Sequence, residues 1–103
     1  MRGYVGKIEK GDELDATQYF DGPWKSFRRI ELAPDQHERF TADTVEHSVF
    51  VMSGHGKYLF GGQDHPLTPG HAVTVGYGSE ILVTASTTEP LELFVTALSV
   101  DLN

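Results

Sequence analysis

No cysteine occurs among the 103 residues, so disulfides, thiolate nucleophiles and cysteine-based metal sites are all unavailable. Basic side chains are scarce too: 8 Lys and Arg stand against 15 Asp and Glu, a formal net charge of −7. A nucleic-acid footprint needs clustered Lys and Arg. The only adjacent basic pair, Arg28-Arg29, falls inside a strand-like stretch. No apolar run approaches the roughly 20 residues of a membrane span. The opening stretch, MRGYVGKIEKGDELD, carries charges every few positions where a signal peptide would have an apolar core. These absences exclude nucleic-acid and membrane partners from the reading and leave the cytoplasm as the default location.

What is present is an ordinary globular composition, 39% hydrophobic and 22% charged, with eleven glycines. A chain of this length can bury one hydrophobic core, and a single domain over 1–103 is expected, with 1–23 as an N-terminal arm or strand. Tyr4–Glu9 is a weak strand candidate, and Glu13–Pro23 reads as irregular with at most one helical turn. Trp24–Leu32 reads as a strand, and Ala33–Thr44 as a long polar connection opened by Pro34-Asp35. Glu46–Ser53 alternates cleanly. It sends His47, Val49 and Val51 to one face and Glu46, Ser48, Phe50 and Met52 to the other. Lys57–Phe60, His71–Val75, Glu80–Ala85 and Leu91–Leu98 follow, with glycines at the intervening turns. Short strands with turn signals every 8–12 residues or so are the pattern of an all-β sandwich or barrel.

Three segments bear a family resemblance. Val51-Met52-Ser53-Gly54-His55-Gly56 resembles the V-L-x-G-x-G segment of the cupins, and Leu67-Thr68-Pro69-Gly70-His71-Ala72-Val73 resembles their L-x-x-G-D-x-V segment. Val75-Gly76-Tyr77-Gly78 falls where that family has V/I-P-x-G. The likeness runs from Ile30 to Leu98 and implies a double-stranded β-helix (jelly-roll) barrel with an internal small-molecule pocket. It also implies a sheet-to-sheet homodimer that would cover Phe50 and Met52.

Cupins hold a metal through H-x-H-x-x-x-E and one later His. Counted onto this chain, those four positions fall on Thr41, Asp43, His47 and Ile81, so none is kept as the family writes it. The resemblance therefore implies a metal-independent lyase, dehydratase, isomerase or cyclase, with no cofactor and His47 as general acid/base. Asp43 would orient His47, while Tyr58 and Tyr77 would supply phenol donors. Arg28, Thr41, Val49, Phe60 and Ile81 would line the ligand. A non-catalytic binding or sensing cupin is the alternative. A metal-dependent oxygenase with Asp43 and His47 as atypical ligands is the third reading. His55, His65 and His71 are expected on the surface.

Overall fold

The structure is a computed structural model that describes residues 6–100. Nine strands are found there: β1 (Glu13–Asp15), β2 (Trp24–Leu32), β3 (His37–Thr41), β4 (Val45–Ser53), β5 (Gly56–Phe60), β6 (Gln63–Leu67), β7 (Ala72–Val75), β8 (Glu80–Ala85) and β9 (Leu91–Ser99). They form two antiparallel sheets, one ordered β1-β2-β9-β4-β7 and the other β3-β8-β5-β6. From β2 onward the chain changes sheet at every connection except the β5–β6 hairpin. That hairpin turns on Gly61 and Gly62, both at positive φ (61° and 79°), the geometry a two-residue loop demands. The expected all-β jelly-roll is present. No helix among the described residues is long and apolar enough to cross a membrane.

Strand pairing stacks the inward side chains in rows. Ile30, Leu93 and Val51 form one row of the larger sheet; Arg28, Val95, Val49 and Val73 form the next; Ser26, Ala97, His47 and Val75 form the third. On the smaller sheet Ala85 pairs with Gly56, Val83 with Glu38 and Tyr58, and Ile81 with Phe40. Val49, Val51, Val83, Leu91 and Leu93 are completely buried, so the middle of the sandwich is filled by side chains.

Several expectations are corrected. The polar connection expected over Ala33–Thr44 contains β3, because Phe40 drops into the core while its neighbours Arg39 and Thr41 face outward. A single apolar residue in a polar stretch gave no alternation to read. Glu13–Asp15, expected irregular, pairs with Ser26–Arg28. Its neighbour Ala16–Gln18 is the one short helical turn, capped by the Asp15 carboxylate on the Thr17 N–H. Of the candidate strand Tyr4–Glu9, residues 4 and 5 lie outside the described residues, and 6–9 carry no strand. Gln63–Leu67, expected as a turn and lead-in, is the edge strand β6, and Pro66 is tolerated there because an edge strand can spare an N–H.

The turn between β4 and β5 is pinned by close backbone approach. A Cβ on Gly54, at φ 87°, would come within 2.0 Å of the Pro90 carbonyl, and one on Gly56 within 2.4 Å of the Thr84 carbonyl. Gly61, at the far hairpin, has nothing within 4 Å of that position. Gly54→Ala is therefore expected to cost well over the roughly 1–2 kcal/mol of left-handed strain alone, and Gly61→Ala only that strain. Urea unfolding of the two variants beside the parent checks the order.

Candidate functional site

β4 delivers His47 to the inner face at the barrel end farthest from Gly56. Its ring meets Phe40 of the opposite sheet edge-on, with centroids 5.6 Å apart. Nε2 lies 3.1 Å from the Thr41 carbonyl. A carbonyl can only accept, so Nε2 carries the proton and donates. In the neutral ring Nδ1 is then a bare acceptor, and it is buried with no hydrogen-bond partner. An orphaned buried acceptor costs about 1–3 kcal/mol.

The other sequence-derived candidates are dispersed. The Asp43 carboxylate accepts from the Thr44 N–H at 2.6 Å in an exposed local turn, so it bonds away from His47. The Thr41 hydroxyl points outward and donates to Glu80 at 2.9 Å; only its carbonyl serves His47. Val49 is sealed in the core. Arg28 faces inward as its strand predicted, and pairs with Glu38 at 3.1 Å across the two sheets. It sits three strands from β7, about 14 Å at ordinary strand spacing. Tyr77 is 55% exposed, and its backbone N–H donates to Glu46. His55 and His71 are exposed as expected, whereas His65 is half-buried. β6 places it opposite Tyr58, and the two rings stack at 4.8 Å.

Tyr58, Phe60 and Ile81 do come together. With Val73, Thr74 and Ser79 they line a cleft of about 310 Å³ where β5 and β8 face β7. The cleft arises because β6 and β7 end their respective sheets and do not pair with each other. None of these lining side chains is charged. Phe60, Val73 and Ile81 contribute apolar surface and Tyr58 and Ser79 carry hydroxyls, while Thr74, between the inward Val73 and Val75, turns its side chain to the outer face opposite Ser48. His47 pairs with Val75 of β7, and its ring meets Phe40, the strand partner of Ile81. Thr74 and Ser79 were missed by sequence reasoning. Alternation on β7 was visible, but which edge would stay open depends on pairings made far along the chain.

The register of β3 also settles what stands at the metal-ligand positions that the resemblance implies. Counting residues puts Thr41 and Asp43 there, but the inward pair at this end is Phe40 and Ala42, 2% and 1% exposed. Beside them lie His47 and the buried Ile81. That set offers one imidazole nitrogen amid hydrocarbon, where a catalytic divalent metal takes about three protein ligands. Among the described residues no three His, Asp or Glu side chains are grouped to hold a metal ion. The residues do not fit the group.

No protein-family model matches this chain, and no curated protein sequence matches it. Solved structures do. A cupin protein from Bacteroides fragilis superposes with a TM-score of 0.75 at 12% identity, covering 100% of this chain and 86% of that one. The fold is that of the cupins. A Cupin_2 domain of an XRE family transcriptional regulator from Enterobacter cloacae gives a TM-score of 0.64 at 20% identity, over 74% of this chain and 82% of that one. A predicted oxalate decarboxylase from Thermotoga maritima gives 0.66 at 18%, over 76% and 69%. One cupin scaffold thus carries differently described proteins, and the fold alone does not choose among them.

Two measurements follow from this cupin register. Introducing Ala42→His and Ile81→His beside His47 is expected to create cobalt binding visible by absorption. Thr41→His with Asp43→His is expected to create none. Separately, the Thr41 hydroxyl, and after it the Arg39 guanidinium, hold the Glu80 carboxyl below the usual carboxylate range. A folded-state pKa below the unfolded one favours the fold at pH above the unfolded value, and that contribution disappears as pH falls through the folded value. Thr41→Val should move the Glu80 midpoint upward in a carboxyl-detected NMR titration, and by more than Arg39→Met does.

Proposed function

We propose that this chain is a metal-independent cupin that binds a small uncharged organic molecule in the cleft between β5, β8 and β7. The observation that supports it most is the lining itself: Phe60, Val73 and Ile81 stand beside the hydroxyl-bearing Tyr58 and Ser79, with no carboxylate, amine, guanidinium or imidazole. Ligand sites are typically concave, with a few polar groups that fix orientation. A ring or short alkyl body would rest on Phe60, Val73 and Ile81, while its hydroxyl or carbonyl would meet Tyr58 or Ser79. Neutrality of the ligand follows from the cost of bringing an unpaired charge against such walls.

Saturation-transfer NMR with phenol, cyclohexanol and benzoate as probes tests this reading. Phenol and cyclohexanol are expected to bind and benzoate to be excluded. Ile81→Trp, which fills the cleft, is expected to abolish binding. Benzoate binding as well as the neutral probes would contradict the proposal.

His47 favours a second reading, in which the bound molecule is also turned over by acid–base chemistry of the lyase or isomerase type. Its proton is held on Nε2 by the Thr41 carbonyl, which leaves Nδ1 as the base. If Nδ1 is kept for function, the fold gains nothing from it. His47→Phe is then expected to leave stability within about 1 kcal/mol of the parent or raise it, because the orphaned acceptor is removed. A core histidine kept for stability would show a loss well beyond that in urea unfolding.

Homodimerisation belongs to the same proposal. Phe50 and Met52, 43% and 39% exposed, lie on the outer face of the larger sheet beside Phe94. Phe94 stacks on Phe27, and Trp24 and Phe20 extend the same aromatic surface. Apolar surface of that kind on a charged chain supports a self-complementary contact. Phe50→Lys is expected to shift sedimentation from dimer to monomer without loss of strand signal in circular dichroism.

A further inference from the structure

The barrel end opposite His47 carries a second concavity that the proposed function does not use. It is a groove of about 340 Å³ whose floor is Gly56 and Ala85, with Asp35, His55, Lys57 and Thr87 around it. A Cβ on Gly56 would lie 2.4 Å from the Thr84 carbonyl and 3.0 Å from the buried Leu91 side chain, so this position admits no side chain.

Three connections meet at the groove and are tied to one another by backbone hydrogen bonds. The Asp35 N–H donates to the Ser86 carbonyl at 3.0 Å, the Ser86 N–H donates to the His55 carbonyl at 2.9 Å, and the Ala85 N–H donates to the Gln36 carbonyl at 2.9 Å. The β2–β3, β4–β5 and β8–β9 turns are thereby fixed relative to one another, the condition for presenting polar groups without an ordering cost on binding. The Ser86 hydroxyl is consumed internally. It donates to the Glu89 carbonyl and accepts from the Glu89 N–H.

Two acceptors remain. His55 Nδ1 is bonded to the Glu89 carboxylate, which can only accept, so Nδ1 holds the proton and Nε2 of the neutral ring has a free lone pair. Asp35 is the only non-glycine residue at positive φ (68°) among the described residues. It follows Pro34, where a turn of this form prefers glycine. Its side chain is a carboxylate that lines the groove. Lys57 is the only cation there, and Asp64 pairs with it at 3.4 Å. Asp35 has no Lys or Arg partner among the described ion pairs, so its carboxylate is the charge left unmatched in the lining.

We propose that this groove binds a small primary ammonium ion, with the Asp35 carboxylate and His55 Nε2 accepting its N–H groups. The alkyl body would lie on Gly56, Ala85 and the Thr87 methyl. An anion would meet the unpaired Asp35, and a net charge of −7 on the whole chain also disfavours anion approach.

The test is an amide and imidazole NMR titration of the whole chain at neutral pH with n-butylammonium, n-butanol and n-butyrate as probes. Butylammonium is expected to give saturable shifts at Asp35, Ser86, Thr87 and the His55 ring, butanol weaker ones and butyrate none. Asp35→Gly suits the positive φ and keeps the fold, so its expected loss of affinity, about tenfold or more, reports the carboxylate alone. Asp35→Asn serves the same purpose if the glycine variant loosens the turn. Lys57→Met is expected to tighten binding by removing the competing cation. The proposal is overturned if no probe gives saturable shifts, if butyrate binds as well as butylammonium, or if both Asp35 variants bind butylammonium undiminished.

Discussion

The edge-on contact between Phe40 and His47 fixes how the two sheets meet at one end of the sandwich. Phe40 faces inward, so β3 pairs with β8 in a register that sets Phe40 against Ile81 and turns Thr41 and Glu80 out to solvent. The same register leaves the Thr41 carbonyl beside His47 Nε2 and thereby assigns the ring's proton. Shifted by one residue, Thr41 and Asp43 would face inward, and a polar site would replace a dry one. A single buried aromatic ring thus decides what chemistry this end of the cupin scaffold can host. In an α/β or all-β protein a one-residue slip moves every side chain of a strand to the other face, which is why one core residue has such reach.

The fold was largely legible. Alternation from Glu46 to Ser53, with glycines at 54 and 56, corresponds to β4 and the turn that the Pro90 and Thr84 carbonyls crowd. β8 and β9 were equally plain because their apolar residues recur at every second position, and β2 because a nine-residue run carrying aromatic, β-branched and leucine residues is bounded by Gly22-Pro23 and Pro34. β3, β1 and β6 were not. Each is short and polar and is held in place by its pairing partner more than by its own pattern. Such strands owe their existence to long-range contacts that a local reading cannot supply.

The candidate site was legible only in part. Tyr58 was named as a phenol donor, Phe60 as a ligand-lining residue and Ile81 at a motif-counted position, and the three share a cleft. His47 was placed on the correct face, but its distinguishing property, a buried and unpartnered Nδ1, depends on a backbone carbonyl six residues away. Asp43 and Thr41 were reached by counting along motif spacing, and Tyr77 was named as a phenol donor. That counting fails where β3 takes Phe40 and Ala42 as its inward residues. The His55–Glu89 pair joins residues 34 apart in sequence and was invisible for the same reason.

The central claim is that hydrocarbon and hydroxyl groups, rather than metal ligands, shape the working cavity. Native mass spectrometry of the protein purified without chelator tests it most directly. The account predicts the mass of the bare chain or its oligomer, with or without a neutral organic molecule, and no stoichiometric divalent ion. One tightly held metal ion per chain, lost together with the native fold on treatment with chelator, would contradict it.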